Sequence, residues 1–594
     1  MVASAFILAP AWVPHTAVSS KPKHVGACSP TPRIHRSKPS TVRIFMSAPP
    51  PPENEPRQSA TPSLEKIVMP TSSPSTITPS LIPKPLEYKP KKSTLPEVLW
   101  SRTIDTVEDI YLHLSRKYKN FVKTNTTPGA GLGEVSSIPT ARKPKLVILG
   151  CGWGGHAQLK TIDTDKYDVL VISPRNHFLF TPMLPGTATG SIEFRSIIEC
   201  VRSTNEFADY YEAAAVRIDL ARNTLVCRSV RTGDEFDVYY DYLSIAVGAT
   251  TNTFGTPGVT EYCHFFKDID DAKVVRKELV DCFETANTPN ISPEEQKRLL
   301  TFVVVGAGPT GCELAACLSD FLAQDVKRYY PKMVSSAQVK LINSGDKILS
   351  QFDSVLQSKT LQNFEKAAIQ VIMNARVIRV GPKSVTIRNS KTGEEEDIPY
   401  GMCVWAAGNG VNPFVKHLID LIPEQKEAKG RLILDPWLRV KGTENVFSFG
   451  DCATTAEPLP PTGQVAAQQG SYVARLLNRN VCLKCEVPVM LPSEYDNTMQ
   501  KSEFEALQAS SNFKFRFAKP FEFLSLGILA YIGGNEAIAG VEAGDVKLGN
   551  MSGFLAYLLY QSVYLTKQVS TRNRLLVLFD NFKAKIFGRD ISMF

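Results

Sequence analysis

The first fifty residues contain no aspartate or glutamate; the earliest acid is Glu53. The stretch instead carries Lys21, Lys23, Arg33, Arg36, Lys38 and Arg43 among serines and prolines. That is the composition of an organelle transit peptide, so residues 1–46 are set apart from the fold. Ala3-Ser-Ala-Phe-Ile-Leu-Ala-Pro10 resembles the Ala-Phe-Pro signal of plastid transit peptides in algae with complex plastids, which leaves mitochondrion and plastid both open. No second Cys-x-x-Cys accompanies Cys482-Leu-Lys-Cys485, so a zinc module lacks half its ligands and no metal is expected. The twelve cysteines are scattered, several in core-like segments such as Cys151, Cys312 and Cys452, which suits a reducing compartment. The net charge of +8 comes without a basic motif interleaved with aromatics, and no nucleic-acid partner is expected.

What is present is a globular composition, 594 residues with 43% hydrophobic and 21% charged, enough for two or three domains. The organising stretch is Lys145-Leu-Val-Ile-Leu-Gly-Cys-Gly-Trp-Gly-Gly155. It reads as a buried strand, a glycine turn that includes Trp153 as a cofactor-binding candidate, and a helix that begins over His156–Ile162. Gly150, Gly152 and Gly155 keep the G-x-G-x-x-G spacing: the first permits the turn, the second lets a pyrophosphate approach, and the third lets helix and strand pack closely. A helix N-terminus then faces the anion. One match is weak evidence, but Thr301-Phe-Val-Val-Val-Gly-Ala-Gly-Pro-Thr-Gly-Cys-Glu313 repeats it with Gly306, Gly308 and Gly311. Two fingerprints imply two nucleotide pockets, and the simplest chemistry that uses both is hydride transfer from a nicotinamide to a flavin.

Strand ends supply the other candidates. The strand Tyr167–Ser173 leads into Ser173-Pro174-Arg175, where an NAD site usually has an acid. Ser173 can bond a ribose hydroxyl; Arg175 can face phosphate or serve structure alone. The proline-stiffened loop Asn176–Pro185, with Phe180 and Thr181, can wall a flat ring or belong to the core. Tyr240–Thr250 ends in small residues around Ala249, and Pro399–Gly408 ends similarly. Glu313 lies in a helix first turn, which the dipole favours. Gln338–Asn343 reads as a strand whose end meets a ribose. Asp451, after Gly450, is placed to accept from ribityl hydroxyls. Gln464 and Gln468 share a helical face, where neutral amides can bond two carbonyls or be solvated.

The flanks read differently. Residues 47–95 are Pro/Ser-rich and expected to be disordered. Pro96–Tyr118 is expected to be a helix whose stripe Ile104, Val107, Tyr111, Leu114 and Tyr118 packs on the core or a second subunit; 124–142 is a linker. Asn287–Lys297 is expected to be a loop broken by Pro289 and Pro293. Gly553–Leu565 is apolar but shorter than the ~20 residues that span a bilayer. Arg574–Phe587 puts Leu575, Phe579, Phe582 and Ile586 on one face, flanked by Arg572, Arg574, Lys583, Lys585 and Arg589. Such a helix lies in an anionic membrane interface or forms a dimer face.

Ser-Pro-Arg-Asn-His-Phe-Leu-Phe-Thr-Pro-Met-Leu-Pro, followed by Gly190-Ser-Ile-Glu-Phe-Arg-Ser196, closely resembles the type II NAD(P)H:quinone oxidoreductases, the rotenone-insensitive alternative NADH dehydrogenases. The likeness runs from about Lys145 to Phe594. It implies non-covalent FAD, no proton pumping, quinone as acceptor, a monotopic membrane association and a homodimer formed through C-terminal helices. It places Glu313 by the nicotinamide and flavin, and Gln464 and Gln468 in the quinone motif. Two residues depart from the family pattern: Asn343 stands where NADH-specific members have Glu, and Gly463 where Ala is usual. Asn343 lacks the charge that repels a 2′-phosphate, so NADPH is expected to be accepted. No EF-hand loop is present, which argues against the calcium-regulated branch.

The expected architecture is α/β: two Rossmann-like dinucleotide-binding domains, as in flavoprotein disulfide reductases, plus C-terminal amphipathic membrane-anchoring helices. FAD-binding segments at 145–270 and 405–490 enclose an NAD(P)H domain at 271–404, and 491–594 form the anchoring module. The expected location is peripheral on the mitochondrial inner membrane, with a plastid membrane as the alternative. Disulfide reductases need a cysteine pair soon after the first fingerprint, and only Cys200 lies between Gly155 and Tyr211. A ferredoxin-type reductase and a non-enzymatic NAD(P)H sensor remain as rivals.

Overall fold

The computed structural model describes residues 94–125, 142–479, 520–544 and 546–592. The expected transit peptide, most of the Pro/Ser-rich segment, the 124–142 linker beyond Asn125 and the Cys482–Cys485 pair lie outside them.

Two parallel sheets carry the glycine turns. The first has seven strands in the order Val446–Ser448, Tyr242–Ile245, Lys145–Leu149, Asp168–Ser173, Asp209–Asp219, Thr224–Ser229 and Glu235–Tyr239. The first five are parallel and the last two add an antiparallel meander. The second runs His264–Phe265, Met402–Trp405, Thr301–Val305, Gln338–Ile342, Ile369–Ile372, all parallel. Its first strand precedes residue 271, earlier than the boundary read from sequence. In both sheets the strand feeding the glycine turn is internal and buried along its apolar run, as strands covered on both faces must be. A three-stranded antiparallel sheet, Ala375–Val380, Ser384–Asn389 and Glu395–Pro399, adjoins the second unit.

The sheets are tied where their chains cross. Asn409 and Gly410 pair antiparallel with Thr251 and Thr250, and Trp405 Nε1 donates to Asn252 O at 3.0 Å. Pro293 opens a helix, Pro293–Leu299, and does not break structure as expected: Ser292 caps it by accepting from Glu295 N, and proline at the first helical position loses no internal hydrogen bond.

The C-terminal module is a three-stranded sheet, Ile528–Gly533, Glu536–Ala543 and Val546–Gly553, followed by helices Phe554–Thr566 and Thr571–Phe587. No helix among the described residues is long and apolar enough to cross a membrane. The second helix turns Asn573, Val577 and Asp580 inward, and Asp580 accepts from Ser196 Oγ at 2.5 Å and Glu193 N at 3.1 Å. Leu575, Phe579, Phe582 and Ile586 are all more than half exposed. The helix Leu95–Asn125 shows the same inversion. Of the two packings the sequence left open, that on the core is not taken: Val107, Tyr111, Leu114 and Tyr118 face outward, while Asp105 and Asp109 pair inward with Arg475. Ionic residues win the inward face because buried arginines there would otherwise stand unpaired.

The end of the last helix is latched to the second unit. Arg589 meets Asp325 at 2.8 Å, both nearly buried, and its backbone N–H donates to the same carboxylate. Removing one partner of such a pair leaves a buried charge. Arg589→Ala should therefore cost about 3–5 kcal/mol, seen as a lower unfolding midpoint together with faster proteolytic release of the C-terminal helix.

Candidate functional site

The two glycine turns superimpose in their roles. Gly150 and Gly306 have φ of +98° and +110°, the left-handed region where a side chain is strained. A Cβ on Gly155 would lie 1.9 Å from Gly150 O, and one on Gly311 1.8 Å from Gly306 O. A Cβ on Gly152 or Gly308 would meet nothing within 4 Å. The middle glycines thus face open space at the N-caps of Trp153–Thr161 and Pro309–Phe321, neither capped by a side chain. Free N–H groups, the helix dipole and bare backbone together make a cradle for a pyrophosphate.

Each cradle is floored by an equivalent small-residue turn. Ala246 O lies against Gly150 and Ala406 O against Gly306. Half-buried Ala249 continues the first turn. Gly408, at φ +77°, lies so close to Phe254 that a Cβ would come within 2.6 Å of its ring. At the end of the neighbouring strand, Gly450 N–H donates to Gln469 Oε1 at 2.8 Å. Burial raises the Asp451 carboxyl pKa, opposed by the nearby Lys267 and Arg431 cations.

The second strand end holds both of its candidate side chains in protein contacts. Ser173 is buried with its hydroxyl 3.2 Å from Cys151 Sγ and accepting from Arg175 N. Arg175 is ion-paired to Asp268, the capping residue of Ile269–Ala286.

The loop after it forms an aromatic wall. Trp153 packs edge-on against Phe178 at 5.1 Å and tilted against Phe180 at 5.3 Å, and donates to Thr181 Oγ1 at 3.1 Å. His156 stacks on Phe178 at 4.3 Å, and burial pushes its pKa well down. Gly463 lies beneath the Trp153 indole: a Cβ there would be 2.7 Å from the ring. Glycine at the start of helix Gly463–Asn478 is thus a packing requirement, and Thr462 still caps that helix through Val465 N.

Glu313 is buried and accepts from Tyr531 N at 3.1 Å; burial pushes its pKa up to about 8, with Tyr531 N and the Tyr560 hydroxyl opposing. Tyr560 and Tyr564, in edge-on contact at 4.5 Å, and Tyr531 surround it from the C-terminal module. Asn343 sits at its strand end with both amide protons engaged, donating to Gly345 O and Lys347 O. Gln464 Oε1 accepts from Leu526 N at 3.4 Å, and Gln468 bonds both backbone groups of Leu524. Among the described residues no cluster of three metal-ligating side chains occurs.

Residues 144–470 match the model of the pyridine nucleotide-disulphide oxidoreductases, and 526–590 match the NDH2 C-terminal domain. A probable NADH dehydrogenase of Dictyostelium discoideum is 40% identical, covering 76% of this chain and 91% of its own. An external alternative NAD(P)H-ubiquinone oxidoreductase B1 of Solanum tuberosum mitochondria is 34% identical, covering 80% and 94%. The chain belongs to the type II NAD(P)H:quinone oxidoreductases. The structure of Plasmodium falciparum NDH2 in complex with NADH matches with a TM-score of 0.67 at 28% identity, covering 76% of this chain and all of that one.

Three residues of the site had no sequence signal that this family's motifs supply. Lys267, beside Asp451, is one lysine in a charged segment; Gln469, which holds Gly450, is masked by its neighbour Gln468; and Arg102, which reaches Gln468, lies 366 positions away from it.

A raised carboxyl pKa means the folded state holds a proton that the unfolded state releases. Stability from this source is complete below the ordinary glutamate range and declines as pH rises toward about 8. Glu313→Gln should therefore gain unfolding temperature relative to the parent at pH 8.5 and little at pH 5, checked by calorimetry of the FAD-loaded proteins.

Proposed function

We propose that this protein oxidises NADH or NADPH with quinone as electron acceptor, through FAD, without pumping protons. The observation that carries the reading is the duplicated glycine cradle, with its middle glycine open in both units, joined to a family C-terminal module that encloses Glu313. Gly150, Gly152 and Gly155, with Trp153, Phe180, Thr181, Ala249, Gly408, Gly450 and Asp451, would hold FAD, joined at the second strand end by Ser173 and Arg175. When bound, FAD supplies a carrier that accepts a hydride and passes on two electrons.

The chain's own groups position the partners. Gly306, Gly308 and Gly311 would seat the pyridine nucleotide pyrophosphate. Asn343, its donors committed to backbone carbonyls, presents Oδ1 to a ribose hydroxyl and brings no negative charge against a 2′-phosphate. Glu313, protonated near neutrality, holds a proton beside the nicotinamide and flavin positions. Gln464 and Gln468 offer neutral amide groups to quinone carbonyls without burying a charge. The outward apolar faces of the C-terminal helices, with their flanking Arg and Lys, fit a peripheral seat on an anionic membrane and a homodimer contact. The mitochondrial names of several relatives and the acid-free N-terminus support a mitochondrial inner-membrane location.

Steady-state oxidation of NADH and NADPH by the FAD-loaded protein, with and without a short-chain quinone, tests the reading. Turnover should depend strongly on quinone; rapid flavin reduction with no quinone turnover would instead indicate a protein-acceptor reductase. Introducing a carboxylate at the ribose should favour NADH, because hydrogen bonds to charged groups are worth about 1.5–3 kcal/mol. Asn343→Glu should then lower the NADPH/NADH ratio of kcat/KM by about 10- to 100-fold, and an unchanged ratio would remove Asn343 from the specificity argument.

A further inference from the structure

We infer that Arg102, on a helix outside both matched family segments, is a positioning residue for quinone reduction that acts by fixing the amide of Gln468. The inference rests on the assignment of quinone to Gln464 and Gln468.

A glutamine amide can turn over and exchange its oxygen and nitrogen unless its neighbours distinguish them. Here they do. Arg102 Nη2 donates to Gln468 Oε1 at 2.9 Å and, with its other proton, to Glu522 O at 3.1 Å. Leu524 N also donates to Gln468 Oε1, at 3.1 Å, while Gln468 Nε2 donates to Leu524 O at 2.9 Å. A guanidinium has no acceptor, so the oxygen must face it. Both acceptor positions of the amide are then filled and one N–H is used. The second N–H is what Gln468 retains to offer a quinone carbonyl. Without Arg102 the oxygen loses its charged partner, and the backbone of Leu524 alone is left to hold the amide.

The helix that carries Arg102 is held in register on the helix that carries Gln468. Arg475 meets Asp105 at 3.1 Å and Asp109 at 2.5 Å, and Arg479 meets Asp105 at 3.0 Å and Glu108 at 2.7 Å. Partners advance together along both helices, from Arg102–Gln468 to Asp105 and Asp109 with Arg475, so the two run side by side in the same direction. Arg475 is two turns beyond Gln468, and Asp109 two turns beyond Arg102, on the contacting faces. The ion pairs thus place the guanidinium, and the guanidinium places the amide. Arg102, Glu522 and Leu524 all lie outside residues 144–470 and 526–590, so this chain completes its quinone motif with residues from beyond the matched segments.

The test uses the full FAD-loaded chain with NADH and a short-chain quinone. Arg102→Ala should raise the quinone KM about ten-fold, the worth of one charged hydrogen bond, while the stopped-flow rate of flavin reduction by NADH stays at the parent value. Arg102→Lys, which keeps the charge but not the planar fork, should fall between the two, and serves if the alanine variant does not fold. In a Gln468→Ala background, Arg102→Ala should add no further loss. A parent-like quinone KM in both Arg102 variants, with Gln468→Ala impaired, overturns the positioning role and leaves the quinone assignment standing. Equal losses in the NADH half-reaction, or additive losses in the double variant, also overturn it, because they mark a general structural role. A parent-like quinone KM in Gln464→Ala and Gln468→Ala removes the quinone assignment, and the inference with it.

Discussion

The contact between the third glycine of each turn and the carbonyl of the first governs the rest of the molecule. At Gly155 and Gly311 the backbone approaches that carbonyl too closely for any side chain. Each helix start is therefore pressed onto the end of its central strand, and its open N–H groups stand at the carboxyl edge of a parallel sheet, where ligands of such folds bind. A second close approach builds on the first. Gly470 lies over Gly154 O, where a Cβ would come within 2.1 Å, and the Phe449 ring covers Gly154 itself. The helix Gly463–Asn478 can lie this close only because both surfaces lack side chains, and Gln464 and Gln468 ride on it. The position of Gln464 and Gln468 is thus set by glycines elsewhere in the packing.

Two helices invert the usual amphipathic rule. In Leu95–Asn125 and Thr571–Phe587, acids and amides face the protein while large apolar side chains face out. Inward carboxylates are tolerable because each meets a specific donor: Asp105 and Asp109 meet Arg475, and Asp580 meets Ser196 and a backbone N–H. Directional partners fix the rotation of a helix about its axis more tightly than hydrophobic contact does, which has no direction. The exposed apolar stripes are then a consequence of that rotation and need a surface to cover them.

The glycine grammar and the buried runs that feed it were legible because they are local: strand, turn and helix lie within a dozen residues and each residue type has one physical reason to be there. The two-unit α/β plan followed from the repeat. Less visible was anything decided by a distant partner. The stripe of Val107, Tyr111 and Leu114 has the period of a core-facing helix, and only the arginines near residue 475 turn it outward. Pro293 reads as a breaker until Ser292 is seen to cap the helix it opens. The Gly463 departure has no reason within its own segment, but the Trp153 ring occupies the space an alanine methyl would need. For Arg175 the spacing left phosphate contact and a structural role equally open, and the partly exposed ion pair with Asp268 is a distant contact that no local pattern signals.

The C-terminal module is also part of the interior framework, because one of its segments is gripped by both dinucleotide units. Gln464 and Gln468, from the first unit, hold the backbone of Leu526 and Leu524. Glu313 and Asp320, from the helix behind the second glycine turn, hold Tyr531 N, the Tyr531 hydroxyl and Gly534 N. The grips are only a few residues apart along a lead and a strand that continue into one another. The Glu313 carboxyl, whose pKa burial pushes up to about 8, and the Gln468 amide therefore share a single backbone support. Rigid secondary structure transmits such constraints without large displacement. The physical consequence is that the surroundings of Glu313 and of Gln468 cannot be treated as separate pockets on a common scaffold: the strand that satisfies Glu313 is the continuation of the segment that satisfies Gln468.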